Sequence, residues 1–149
     1  REYLPKAGYK PRVEVMTPLI PGLIGKKMSA SDPKSKIDLL DDEKSVQDKV
    51  RSAYCEEGKV EDNGVLAFLK LVIMPLKQDR KEKLFIERPV KFGGNLSFST
   101  YQEIEDAFVN KKLHPLDLKN SLATEINALL ELFRKNKTKL EQIAMEAYN

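Results

Sequence analysis

His114-Pro115-Leu116-Asp117-Leu118-Lys119-Asn120 opens the longest apolar-periodic run in the chain. Behind it, Leu118, Leu122, Ile126, Leu129, Leu130 and Phe133 recur at the spacing of one face of an α-helix. Pro115 suits a first helical turn, where a missing N–H costs nothing and φ is already set. Asn136 interrupts the stripe, and Leu140, Ile143, Ala144 and Ala147 resume it. The reading is a mainly α fold built on one long helix.

The segments before this helix fit the same class. Thr100-Tyr101-Gln102-Glu103 has capping-box spacing and opens a helix with Ile104 and Phe108 inward. Leu84-Phe85-Ile86 and Leu96-Ser97-Phe98-Ser99 read as two short strands joined by the turn Lys91-Phe92-Gly93-Gly94-Asn95, a small β-hairpin. Residues 77–83 are a charged link. Asn63 is placed to cap a helix from Gly64 to Met74 that Pro75 should end, and with little polar face this is expected to be the most buried element. From Asp41 or Asp42 another helix runs to about Cys55, with Val46, Val50, Ala53 and Tyr54 on one face, and Glu56-Glu57-Gly58 closes it. Arg12-Val13-Glu14-Val15-Met16 alternates like a strand but has no partner nearby, so it reads as the edge of a sheet outside the chain. The expectation is a compact body over residues 42–149, four or five helices with a hairpin, and a loosely held segment over residues 1–35.

Bulk properties narrow the function. The 149 residues are 41% hydrophobic and 33% charged, a soluble globular composition. No apolar run approaches the roughly 20 residues of a membrane span. The net charge is only +3, which argues against a protein that coats nucleic acid by charge alone. The basic excess sits in residues 1–40. Cys55 and His114 are the only residues of their kinds, so an internal disulfide and a cysteine-rich metal site are excluded. A histidine-based triad or zinc centre is disfavoured and no metal ligands are assigned. A lone cysteine fits a reducing, cytoplasmic setting. The chain starts at Arg1 rather than Met and is expected to be a piece of something longer.

Three stretches carry chemistry. Lys26-Lys27-Met28-Ser29-Ala30-Ser31, flanked by Gly22, Gly25 and Asp32-Pro33, is short, basic and hydroxyl-rich. Such a loop suits a polyphosphate, since lysines supply mobile charge and hydroxyls add donors; it also suits a plain solvated loop. Lys91-Phe92-Gly93-Gly94 presents a ring on a glycine turn, and His114 to Lys119 put an imidazole and a carboxylate at a helix start. RNA loops are read by stacking a splayed base on an aromatic ring and hydrogen-bonding its edge. A carboxylate accepts both N–H groups of a guanine edge, so Phe92 with Asp117 would make a guanine reader. Taken singly, Phe92 also reads as a core plug, Asp117 as a helix-dipole partner and His114 as a cap.

Lys27-Met28-Ser29-Ala30-Ser31 resembles the KMSKS signature of class I aminoacyl-tRNA synthetases, with Ala30 in place of the second lysine. The wider chain resembles the tyrosyl-tRNA synthetases of the archaeal and eukaryotic type. The likeness begins near Tyr3-Leu4-Pro5 and runs through Met16-Thr17-Pro18, Pro21-Gly22-Leu23, Lys27 to Ser31, Ser35 to Leu40, Ala53-Tyr54-Cys55, Asn63 to Leu66, Lys91 to Gly94 and His114 to Asn120. The resemblance implies that residues 1–40 are the C-terminal remnant of a class I catalytic domain and residues 41–149 a helical anticodon-binding domain. It implies catalytic roles for Lys27, Ser29 and Ser31, ATP contacts from Met16, Lys26, Lys27 and Met28, and anticodon contacts from Phe92, His114, Pro115 and Asp117. ATP with its Mg2+, tyrosine and tRNA-Tyr follow as substrates and partners of the full-length enzyme, itself a homodimer, with this piece a monomer and no membrane involved. With Ala30 uncharged, Lys26, Lys34 or a bound cation are the candidates to compensate. The histidine-bearing HIGH signature and the tyrosine pocket are not in these residues, so the piece alone is expected to form no adenylate. Two alternatives stand beside this. A tryptophanyl-tRNA synthetase fits the loop, which in that family often reads Lys-Met-Ser-Ala-Ser before Asp-Pro. A stand-alone RNA-binding module fits the rest, but leaves the loop without a purpose.

Overall fold

The computed structural model describes residues 3–10, 18, 20–24 and 35–148, and it is mainly helical with one two-stranded sheet. The elements are helix α1 (Tyr3–Lys6), α2 (Glu43–Ser52), α3 (Gly64–Phe68), a π-helical segment (Leu69–Ile73), α4 (Met74–Asp79), strand β1 (Leu84–Ile86), a 3-10 turn (Val90–Phe92), β2 (Leu96–Phe98), α5 (Tyr101–Val109), α6 (Pro115–Lys135) and α7 (Lys137–Tyr148). The strand read over Arg12–Met16 lies outside the described residues.

Helix α6 is the element the others pack on. Leu118, Leu122, Ile126 and Leu130 form its buried stripe. Each such side chain taken from water contributes about 1.5–3 kcal/mol. Against the stripe lie Val46 and Val50 of α2, Val65 and Leu66 of α3, Leu69 and Ile73 of the π segment, and Leu84 and Ile86 of β1. Helix α2 runs antiparallel to α6, and polar groups of α6 hold both its ends. Arg134 Nε donates to the Asp41 carbonyl at 2.8 Å just ahead of α2, and Lys119 Nζ donates to the Arg51 carbonyl at 2.9 Å near its end. Further along α6, Glu125 pairs with Lys77 at 2.9 Å. Burial opposes the charge on Lys77, but Glu125 and Glu82 outweigh it and raise its pKa.

The caps follow the sequence reading. Asp42 Oδ1 accepts from Ser45 N at 2.7 Å, and Asn63 Oδ1 accepts from Leu66 N at 3.1 Å. Thr100 and Glu103 form the reciprocal capping box. Asn63 is itself buried and also donates to the Lys59 carbonyl at 3.0 Å and to Cys55 Sγ at 3.4 Å. Burial pushes the Cys55 thiol above its ordinary pKa despite that amide, which keeps it protonated and poorly nucleophilic at neutral pH.

Several boundaries differ from expectation. Helix α2 stops at Ser52, where the Ala53 backbone leaves helical geometry, and Tyr54 is turned outward to bond Glu56. Pro75 does not end the second helical stretch, which continues through α4 to Asp79. The turn before it is π-helical, with Met74 N bonded back to the Leu69 carbonyl. A proline offers no N–H and its ring crowds the preceding turn; widening that turn lets the chain pass without breaking. Helix α7 follows the Asn136 break, but Ile143 and Ala147 face solvent and Leu140 is only half-buried. The core stripe is already complete at Leu130, so α7 has no layer left to cover.

The hairpin forms as read, with Leu84 opposite Phe98, Phe85 opposite Ser97 and Ile86 opposite Leu96. Residues 1–35 were expected to be loosely held, and this fails at two points. Leu23 is fully buried in the core and Ser35 is buried beside it, with Leu23 N donating to the Ser35 carbonyl at 3.0 Å. The Leu23 carbonyl in turn accepts from Tyr54 N at 3.1 Å. This docking needs a glycine at position 64, because a Cβ there would stand 2.5 Å from the Gly22 carbonyl oxygen.

Gly64→Ala is therefore expected to force two backbones apart and destabilise the fold by about 1–3 kcal/mol. Urea unfolding of the two proteins checks this. An unchanged midpoint would mean that the Gly22–Leu23 segment does not dock in solution.

Candidate nucleic-acid interface

Two loops meet at the start of α6. The first joins β1 to β2 and is closed by Asn95 Oδ1, which accepts from Arg88 N at 3.0 Å. Inside it, the 3-10 turn ends in Gly93 at φ 97° and Gly94 at φ 73°, left-handed conformations that glycine adopts without strain. This geometry throws Phe92 outward, so that the residue is 61% exposed. A core plug would be covered, so that alternative fails. Lys91 Nζ lies 4.9 Å from the ring centroid, a cation–π distance, which leaves the rest of the ring open to a flat partner.

The second loop joins α5 to α6 and carries Lys111 and Lys112, then the buried Leu113, then His114. His114 is the N-cap of α6, and its Nδ1 accepts from Leu116 N at 3.1 Å. In this arrangement the imidazole proton sits on Nε2. Pro115 takes the first helical position, and Asp117 stands in the first turn, where the helix dipole favours its charge. The bland readings of His114 as a cap and of Asp117 as a dipole partner thus hold, and both groups also face open space.

That space is a cleft of about 330 Å³, at the lower end of the range for small-ligand sites. Phe92, His114 and Asp117 line it together, with Leu116 as apolar floor and Arg88, Lys111, Lys112 and Glu57 around them. Pro115 is not among the lining residues; it sets the start of the helix that carries the others. The Asp117 side chain is 18% exposed and that of Arg88 only 8%. The Arg88 guanidinium reaches the Gly94 carbonyl from Nε at 3.0 Å and the Lys112 carbonyl from Nη1 at 2.8 Å, and Nη1 stands 3.9 Å from Asp117 Oδ2. Chemically the cleft offers a ring face, a carboxylate acceptor, an imidazole donor and a basic rim. This set suits a nucleobase with its phosphates outside.

Sequence reasoning missed Arg88, Lys111, Lys112, Glu57 and Leu116. Arg88 directly precedes Pro89 and a double-glycine turn, which was the one local sign that its neighbours would offer free carbonyls. The remaining candidates, Met16, Lys26, Lys27, Met28, Ser29 and Ser31, lie outside the described residues.

Comparison with known proteins gives a consistent answer. The family model described as tRNA synthetases class I (W and Y) matches residues 1–131. The cytoplasmic tyrosine–tRNA ligase of Gallus gallus is 43% identical over 99% of this chain, which spans 28% of that protein. The cytoplasmic tyrosine–tRNA ligase of Saccharomyces cerevisiae is 48% identical over 90% of the chain, which spans 35% of it. Among solved structures, the tyrosyl-tRNA synthetase of Archaeoglobus fulgidus complexed with L-tyrosine superposes with a TM-score of 0.81 at 41% identity. That match covers 91% of this chain and 41% of the archaeal one.

His114→Ala should remove the α6 cap and cost about 0.5–2 kcal/mol, whereas His114→Asn, which keeps an acceptor, should cost much less. Thermal unfolding of the two variants checks this. Equal losses would mean that the imidazole is held by something other than the Leu116 N–H.

Proposed function

This chain belongs to the class I tRNA synthetases (W and Y), and we propose that it is the anticodon-reading part of a tyrosine–tRNA ligase, joined to the loop that closes over ATP. Residues 41–149 act as the helical anticodon-binding domain, and residues 1–40 as the end of the catalytic domain. The observation that carries this reading is the convergence of Phe92, His114 and Asp117 on one cleft. The tyrosine identity of both ligases, against the tryptophan-like loop sequence, favours tRNA-Tyr as the partner.

In this reading the first anticodon base, a guanine, stacks on Phe92. Its N1–H and N2–H donate to the Asp117 carboxylate. The lysines of the rim take the flanking phosphates, which sets affinity and salt dependence but not sequence. In the whole enzyme the tyrosine carboxylate attacks the α-phosphate of ATP and pyrophosphate leaves; the terminal ribose hydroxyl of the tRNA then attacks the tyrosyl carbonyl and AMP leaves. Charge builds on the phosphates in the first step. Lys27, with Ser29 and Ser31, supplies cationic and hydrogen-bonding groups there, and Met16, Lys26 and Met28 contact the nucleotide, which arrives with its Mg2+. Stabilisation of that developing charge is what accelerates the step. The enzyme works in the cytoplasm as a homodimer, and these residues by themselves are monomeric.

Binding to an anticodon stem-loop with guanine at the first anticodon position should exceed binding to the same loop with adenine there by about 1–3 kcal/mol. Asp117→Ala should abolish that difference. Equal, salt-sensitive binding of both loops by the unaltered chain would refute base reading at this cleft. The 149-residue chain alone should give no tyrosine-dependent ATP–pyrophosphate exchange; an exchange signal would show a complete active site in these residues.

A further inference from the structure

We propose that Arg88 is the positioning residue of this cleft: its guanidinium fixes, at one point, the loop that presents Phe92, the loop that leads to His114 and the carboxylate of Asp117. This inference rests on the base-reading function proposed above. His114 and Asp117 share the first turn of α6, where the Asp117 N–H donates to the His114 carbonyl at 3.0 Å, but among the described residues no backbone hydrogen bond ties the Phe92 loop to that turn. Phe92 hangs on the β1–β2 connection, His114 ends the α5–α6 connection, and Asp117 belongs to α6. One planar fork bonds both loops and faces the Asp117 carboxylate. Nε donates to Gly94 in the first loop, Nη1 donates to Lys112 in the second, and the same Nη1 stands 3.9 Å from Asp117 Oδ2.

The last distance is too long for a hydrogen bond and short enough for charge attraction. Oδ2 therefore feels the positive charge without giving a lone pair to it, and both carboxylate oxygens keep acceptor capacity for a guanine edge. The remaining nitrogen, Nη2, would lie 3.1 Å from a Cβ at position 93. Gly93 thus serves the fork as well as the turn. With its side chain only 8% exposed, Arg88 is held where water competes little for these contacts. A lysine would preserve the charge, but a single ammonium has no rigid fork to span two carbonyls and face a carboxylate at once.

The test compares Arg88→Lys, Arg88→Ala, Asp117→Ala and the double variant Arg88→Ala/Asp117→Ala in the 149-residue chain. Each is titrated with stem-loop RNAs bearing guanine or adenine at the first anticodon position. The quantity read is the ratio of the two affinities. Partial unfolding of a variant lowers both affinities by the same factor and cancels from the ratio. Both Arg88 variants should reduce the guanine-to-adenine ratio about five- to tenfold. The double variant is the control: with the ratio already lost in Asp117→Ala, it should stay at that level. A ratio that survives in both Arg88 variants while Asp117→Ala abolishes it would overturn the positioning role and leave base reading intact. Full restoration by Arg88→Lys alone would reduce the role to charge and overturn the fork. A ratio that survives in Asp117→Ala would bring down the base-reading proposal itself, and this inference with it.

Discussion

Burial of one stripe on α6 is the constraint on which the rest of the molecule depends. Leu118, Leu122, Ile126 and Leu130 need cover, and they draw it from α2, the α3–π–α4 stretch and the hairpin. Because a helix is stiff, whatever is attached to its first turn inherits a fixed direction. His114 and Asp117 flank Pro115 and Leu116 at that turn, so their geometry is set by hydrophobic packing several turns away. Capping adds a local term, but the helix would not be there to cap without the stripe.

The hairpin supplies the other half of the site by a different route. Its two three-residue strands are too short to be stable alone and survive because Leu84, Ile86 and Phe98 sit in the common core. That leaves the connecting loop free to point away. Two left-handed glycines turn the chain back, and the ring of Phe92 is left in water. An exposed ring is a cost when nothing is bound. It is the expected arrangement where a partner base is to supply the missing contact.

Most of the architecture was legible in the sequence because its signals are local. The long stripe, the caps at Asp42, Asn63 and Thr100, and the alternation of the hairpin all involve residues within a turn or two of one another. Pro75 misled because the rule for proline assumes an α-helical turn before it, and the π turn removes the clash on which the rule rests. The docking of Leu23 against Gly64 was invisible, since a close backbone approach between distant segments leaves only a glycine as its trace. In the site, residue types with evident chemistry stood out, whereas Arg88 did not. An arginine in a charged, turn-rich stretch looks like any surface arginine until the fold buries it. The cleft-lining lysines were hidden for the same reason, because nothing in their neighbours' spacing marks which side of a loop faces a ligand.

The outward knuckle of the first loop has a consequence for the free protein. Val90 is 90% exposed and Phe92 61%, with Lys91 between them. Apolar side chains exposed side by side are the kind of surface through which copies of a protein associate unless charge opposes it. Lys91 counters this, because copies meeting knuckle to knuckle would bring like charges together. The lysine thus guards the same ring it lies against. Added salt screens that repulsion. Ionic strength therefore acts directly on this one turn: the more salt there is, the less the bare knuckle is protected from itself.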